Sequence, residues 1–161
     1  MIRHAKLSDV PAVQAIINAH AELGLMLFRS RAELYENIRD FFVHQTDEGK
    51  INGCAALDIV WADLAELKSL AVEPGFQGQG IGTQLVTACI EEARALDLQR
   101  VFALTYEQRF FERFGFAIVE KDELPHKVWT DCIKCPKRPA CDEIALLLKL
   151  DGVDVAADKY G

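Results

Sequence analysis

A single α/β (α+β) domain, built on a mixed and mostly antiparallel central sheet of about seven strands flanked by four helices, is the fold class that this sequence predicts. Three observations predict it. Residues 42–72 hold three strand-like runs separated only by short turns, the pattern of an antiparallel meander. Two amphipathic helical stretches precede the meander, and their apolar faces need a sheet to cover. After it, a glycine-rich loop leads into a helix and then an apolar strand, and a strand, a crossover helix and a strand imply local parallel pairing.

In chain order, Ile2 to Ala5 reads as a first strand, and Ser8 offers an N-cap for a helix with Val10, Val13, Ile16 and Ile17 on one face. Pro11 falls in its first turn, where proline is tolerated, and the helix is expected to end near Gly24. Ser30-Arg31-Ala32-Glu33 is a capping box for a second helix, followed by Leu34, Ile38 and Phe41. Phe42 to Gln45 and Ile51 to Trp61 are strands joined by the turn Thr46-Asp47-Glu48-Gly49-Lys50. Ala62-Asp63 turns the chain into the strand Leu64 to Val72. The helix after the glycines carries Leu85, Val86, Cys89, Ile90 and Ala93 toward a core and ends near Asp97. Val101 to Thr105 is an apolar strand, Gln108 to Phe114 a short helix stopped by Gly115, and Phe116 to Val119 and Glu143 to Leu150 are the last strands. Periodicity fails between Glu120 and Asp142, where three prolines and three cysteines gather, so 120–142 is expected to be an irregular insertion. The domain is expected to span 1–150, with 151–161 a flexible tail.

Composition narrows the function classes. Half of the 161 residues are apolar and 27% charged, as in ordinary globular domains. No run approaches the roughly 18 apolar residues of a membrane-spanning helix, and MIRHAKLSD lacks a signal-peptide core, so the expectation is a cytoplasmic protein with no membrane partner. A net charge of −7 disfavours nucleic acid as a partner. Five cysteines without secretory context argue against a disulfide framework.

The stretch Glu66 to Ala93 carries the strongest functional signal. Gly75, Gly78, Gly80 and Gly82 lie between an apolar strand and an amphipathic helix. Glycines let consecutive N–H groups converge without a Cβ in the way, and the first N–H groups of a helix lack partners within it, so the design binds an anion. No Gly-Lys-Ser/Thr follows, and the order is not Gly-x-Gly-x-x-Gly. Gln77-Gly78-Gln79-Gly80-Ile81-Gly82 instead resembles the Gln/Arg-x-x-Gly-x-Gly/Ala signature of the GNAT N-acetyltransferase family, with Phe110-Phe111-Glu112-Arg113-Phe114-Gly115-Phe116 following as that family would have it. The resemblance implies the GNAT fold, with two central strands splayed at the acetyl-CoA site. It implies that Gln77, Gly78, Gln79, Gly80, Ile81, Gly82 and Thr83 cradle the pyrophosphate, and that the backbone of Leu70, Ala71 and Val72 meets the pantetheine arm. It also allows a homodimer, for which the sequence offers no defensible interface.

Acetyl transfer to an amine needs the amine deprotonated, and Glu66, on an apolar strand just before the loop, is the candidate general base. The bland alternative is a solvated residue at the strand's start. Many GNAT enzymes place an acidic tyrosine where this chain has Phe110 and Phe111, so that acid is missing; Tyr106 and Thr105 are candidates to replace it, or serve as polar strand caps, or no acid is required. Arg29 and Arg31 flank the N-cap Ser30, where cations are mildly unfavourable, and an anionic acceptor would resolve the conflict, since arginine binds carboxylates bidentately; the bland alternative is that both point to water with Glu33 as a neighbour. Lys68, two residues beyond Glu66, is a third cation on the same strand face.

The segments Leu27 to Leu34, Cys54 to Leu57, Glu66 to Val72 and Val101 to Thr105, with Leu124-Pro125, resemble the acetyltransferase domain of bacterial N-acetylglutamate synthases over about residues 1–150. The resemblance implies acetyl-CoA and L-glutamate as substrates, N-acetyl-L-glutamate and CoA as products, and a place at the first step of arginine biosynthesis. Arg138 takes roughly the position of a further substrate-binding arginine. The chain departs from the pattern in the segment holding His126, Cys132, Cys135 and Cys141, for which reduced thiols packing a loop is the favoured reading, with a zinc site or a redox-labile disulfide as alternatives. Two other functions keep the fold: an acetyltransferase for another amino acid, a protein N-terminus or a small amine, and a non-catalytic sensor of acetyl-CoA or an amino acid.

Overall fold

Short turns and strong strand formers produce the meander, and the crossover helix produces a parallel pairing, that of Leu64 to Glu66 with Arg100 to Phe102. The computed structural model describes residues 1–124 and 144–150; most of the expected insertion and all of the expected tail lie outside the described residues. The strands are β1 (Ile2–His4), β2 (Phe41–Gln45), β3 (Ile51–Trp61), β4 (Leu64–Val72), β5 (Arg100–Thr105), β6 (Ala117–Ile118) and β7 (Ile144–Lys149), and the helices are α1 (Val10–Glu22), α2 (Arg31–Asn37), α3 (Ile81–Ala95) and α4 (Gln108–Glu112). The sheet runs in the order β1-β2-β3-β4-β5-β7-β6. β4 and β5 pair in parallel, while β1 with β2, β2 with β3, β5 with β7 and β6 with β7 pair antiparallel.

The chain clusters into two units, Met1–Asp58 with Leu67–Glu91, and Ile59–Glu66 with the described residues from Glu92 onward. In the first unit Val10, Val13, Ile16 and Ile17 of α1 meet Leu34, Ile38, Phe41, Val43, Cys54, Ala56 and Ala71, all buried. The face expected from the 3.6-residue period of α1 is therefore the buried one. In the second unit Val60, Leu64, Phe102, Leu124 and Ala145 form the core. The parallel ladder there covers Leu64 to Glu66 against Arg100 to Phe102. Asp63, in the turn before β4, anchors it further: its carbonyl accepts from the Gln99 and Arg100 N–H groups, and its carboxylate pairs with the Arg100 guanidinium at 3.1 Å.

Ser8 does not cap α1. Leu7–Asp9 forms a 3-10 turn, and α1 begins at Val10 with Pro11 in its first turn. The organising group is Asp9, whose carboxylate accepts from the Lys6 N–H at 2.7 Å and from two guanidinium nitrogens of Arg3 at 2.7 and 3.0 Å. A carboxylate out-competes a hydroxyl here because it can take the turn N–H and a bidentate arginine together. The Ser30 cap, by contrast, forms as expected, accepting from the Glu33 N–H at 3.1 Å. The last helix and the strand after it are shorter than their periodicity suggests, ending at Glu112 and covering only Ala117–Ile118.

The hydrogen bonds from Arg3 hold the Asp9 carboxyl below its ordinary value, outweighing the opposing effect of burial. A depressed carboxylate contributes stability that is complete above the free value of 3.8 and is lost as pH falls through the lower folded value. Asp9→Asn is expected to cost about 2 kcal/mol, the scale of hydrogen bonds to a charged group. Urea denaturation at pH 7 checks it, and the gap between wild type and variant should close below pH 3.8.

Candidate active site

The glycine loop has the backbone its sequence requires. Gly75, Gly78 and Gly80 sit at φ of +96°, +83° and +79°, in the left-handed region that side chains disfavour. A Cβ added at any of the three would meet nothing within 4 Å. Conformation, not crowding, therefore demands glycine, and open space lies beside the loop at each position. A turn closes it at one end, with Phe76 N–H donating to the Glu73 carbonyl, and the Gln77 amide ties it back to β4 by donating to the Val72 carbonyl at 3.2 Å. Gln84 N–H donates to the Gly80 carbonyl, the first intrahelical bond of α3. The N–H groups of Ile81, Gly82 and Thr83 precede it and have no partner within the helix. Residues 74–90 carry no charged side chain, so backbone dipoles supply the attraction for an anion. Lys50 stands beside the loop, its ammonium 3.0 Å from the Glu73 carboxylate and 5.3 Å from the centre of the Phe76 ring.

Leu70, Ala71 and Val72 follow a residue that the sequence reading missed. Ser69 lies in the middle of β4 at φ +55°, a left-handed conformation that breaks the regular pleat. Serine gives little warning of it. Glu66, in the second unit, is half-buried and opposite Phe102 in the parallel ladder. Thr105 ends β5 and its hydroxyl accepts from the Glu107 N–H at 2.9 Å, the strand-capping role; Tyr106 follows it, half-buried. Phe110 and Phe111, where the family acid would be, instead make edge-on ring contacts with each other and with Phe114 and Phe116. Phe111 is buried, so this position serves packing.

Among the described residues, the three cations expected at the acceptor, Arg29, Arg31 and Lys68, are each held by a neighbour. Gln14 of α1 donates to the Arg29 carbonyl at 3.2 Å and accepts from Arg31 Nε at 2.8 Å, and Asn18 accepts from the Arg29 N–H. The Arg29 guanidinium lies 3.5 Å from the Glu33 carboxylate, so the charge conflict at the start of α2 is met within the chain. Lys68 pairs with Asp58 of β3 at 2.9 Å. Burial, with the neighbouring Asp58 charge, pushes the Asp40 carboxyl up, and Lys68 pulls it down. Asp58 was not foreseen, because only the folded sheet brings it to Lys68. Arg138 and the cluster His126, Cys132, Cys135 and Cys141 lie outside the described residues. Among the described residues no group of three His, Cys, Asp or Glu could hold a metal, and no helix is long and apolar enough to cross a membrane. Cys89 is buried, as its helix face predicts, and so is Cys54 of β3.

The fold and the glycine loop define an acetyltransferase: the chain belongs to the acetyltransferase (GNAT) family, whose sequence profile matches residues 16–116. It is 42% identical over 149 residues to an uncharacterized N-acetyltransferase of Chlorobaculum tepidum, covering 92% of this chain and 96% of that one. It is 38% identical over 133 residues to the amino-acid acetyltransferase of Mycobacterium tuberculosis, covering 81% and 76% respectively. Among solved structures, the N-acetylglutamate synthase of Neisseria gonorrhoeae, complexed with coenzyme A and N-acetyl-glutamate, superposes with a TM-score of 0.84 at 34% identity. That match covers 93% of this chain and 35% of the longer synthase.

Burial pushes the Cys54 thiol up to about 12, so at neutral pH it is a protonated, unreactive group. A raised acid is stabilising below its free value and loses that contribution as pH rises, so stability should decline from 9.0 toward about 12. Native protein at pH 8 is expected to leave Cys54 unlabelled by iodoacetamide while denatured protein labels fully, as peptide mass mapping would read.

Proposed function

We propose that the chain transfers the acetyl group of acetyl-CoA to the α-amine of L-glutamate, giving N-acetyl-L-glutamate and CoA, the entry step of arginine biosynthesis in the cytoplasm. The observation that carries the donor half is the run of left-handed glycines opening onto the N-terminus of α3. The pyrophosphate lies against the N–H groups of residues 78–83, and the backbone of Leu70, Ala71 and Val72 meets the pantetheine arm. Similarity to an amino-acid acetyltransferase and to a synthase bound to N-acetyl-glutamate supports the acceptor half.

In this reading Glu66 takes the proton of the glutamate ammonium, directly or through water. The freed lone pair attacks the thioester carbonyl, the nitrogen of the tetrahedral intermediate gives its second proton to water, and collapse breaks the carbon–sulfur bond to release CoA thiolate. Tyr106 or water returns a proton to the sulfur. Thr105 serves as the cap of β5. Arg29, Arg31 and Lys68 receive the two acceptor carboxylates, with Arg138 as a further cation. Lys68 is already paired with Asp58, so a substrate carboxylate competes with a neighbour for it. That competition favours an acceptor with a second anchor over a simple amino acid.

Steady-state kinetics with acetyl-CoA and a panel of amino acids and amines tests the proposal. Glutamate should lead the panel; a rate no better than with alanine or polyamines sinks the acceptor claim, and CoA binding without turnover on any acceptor points to a sensor. Glu66→Gln should lower kcat at least about 100-fold, the usual scale of general-base catalysis, with little change in KM. An unchanged rate removes Glu66 as the base. Lys68→Ala should raise the KM for glutamate and leave that for acetyl-CoA alone.

A further inference from the structure

Three consecutive residues of β3 hold three different parts of the strand, loop and helix assigned above to the donor. The Asn52 carbonyl accepts from the Glu73 N–H at 2.8 Å, fixing the point where β4 gives way to the loop. Gly53 gives room to the first turns of α3. A Cβ there would lie 3.0 Å from Ile81 Cγ2 and 3.1 Å from Leu85 Cδ1, and 3.5 Å from the Ala71 carbonyl oxygen. Cys54, fully buried, donates its S–H to the Ser69 carbonyl at 3.4 Å. Ser69 is the left-handed residue of β4, and such a conformation persists only where the surroundings hold it.

Each contact is open to a structural explanation alone, but their coincidence is not general packing. Gly53 is not left-handed, so what favours glycine there is the close approach of α3, whose Ile81 and Leu85 methyls would have to give way to a Cβ, and not its own backbone. A thiol suits position 54 because it combines a small apolar volume with one weak donor for the Ser69 carbonyl and a weak acceptor facing the Ala71 backbone. An alanine would keep the burial and lose the donor. A serine would keep a donor of similar size.

We infer that Gly53 and Cys54 are positioning residues for the donor site: Gly53 sets how closely α3 seats against β3, and the Cys54 thiol holds the left-handed turn at Ser69. The inference rests on the donor reading of the preceding section. Neither residue touches the reacting atoms. Their effect passes through the angle at which the N–H groups of residues 81–83 and the backbone after Ser69 face the ligand.

Titration calorimetry with CoA, run well below the melting temperature of each variant, tests this alongside kinetics. Gly53→Ala and Cys54→Ala should each weaken CoA about tenfold, which corresponds to about 1.4 kcal/mol. Both should raise the KM for acetyl-CoA and leave the acceptor KM within about twofold, a margin of about 0.4 kcal/mol. Cys54→Ser should restore most of the affinity. A purely structural role would lower the melting temperature and leave CoA affinity of the folded protein unchanged. That result in both alanine variants overturns the inference while wild type still binds CoA. If Gly53→Ala does not fold, the Cys54 pair decides the matter. A wild-type chain that binds no CoA would overturn the donor reading itself, and the inference with it.

Discussion

An α-helix cannot satisfy its own first N–H groups, and the placement of those groups at the start of α3 is the constraint on which the rest depends. Their direction is fixed on two sides. Gly75, Gly78 and Gly80 bring the chain in through left-handed backbone, and Gln77 ties the loop to the Val72 carbonyl of β4. Ile81, the first residue of the helix, is buried and packs beside the missing side chain of Gly53. An apolar residue buried at the first position of a helix restricts how the adjacent N–H groups can turn. On the proposed donor reading that is preorganisation in the catalytic sense: the dipoles are already aimed where the pyrophosphate would lie.

Electrostatics follow the same logic of local arrangement over net composition. The chain carries −7 yet is read as binding two anionic substrates. The loop avoids the conflict by having no charged side chains between Glu73 and Glu91, so no carboxylate sits among the N–H groups and no lysine need be desolvated to join them. The cations lie elsewhere in the same unit, and each is restrained: Arg29 by Glu33, Arg31 by Gln14, Lys68 by Asp58. Restraint lowers the entropy lost on binding and also lowers the attraction, because a carboxylate partner must be displaced or shared. An amide partner, as at Arg31, restrains without neutralising. Of the three cations, Arg31 is on this argument the best prepared to meet a substrate carboxylate.

What the sequence made legible divides along the range of the interaction. β3 and β4 begin and end where alternation and the turn residues placed them, and the loop could be read because glycine has few reasons to recur at that spacing. The family was visible in Gln77, Gly80 and Gly82 together. Features that depend on partners distant in sequence were not visible. Asp58 meets Lys68 only once the sheet has formed, Asp9 replaces Ser8 because Arg3 is folded over it, and Phe110 and Phe111 are tied up in an aromatic cluster. Gly53 did carry a signal, a glycine inside an otherwise continuous strand, which marks a close approach of something to the backbone. What approaches is a helix nearly thirty residues later, and no local pattern names it.

β4 brings these threads together, because its polar residues are not where a buried strand should have them. Up to Glu66 it belongs with β5, in a ladder of three residue pairs. Beyond that point several of its polar partners lie on β3, while the Val72 carbonyl accepts from Gln77 of the loop. Lys68 meets Asp58, the Ser69 carbonyl accepts from the Cys54 thiol, and the Glu73 N–H, just past the strand's end, donates to the Asn52 carbonyl, one strand's numbers falling as the other's rise, as antiparallel neighbours require. A strand that drew all its hydrogen bonds from regular ladders would need neither a left-handed serine nor a buried thiol donor. The irregularity costs of the order of 1–3 kcal/mol for the Ser69 backbone, and side-chain contacts from β3 offset part of it. Strain held by neighbours in the middle of a sheet is poor design for stability and good design for freeing backbone groups toward a ligand. The polar residues of β4 make sense as the means of holding that exception in place.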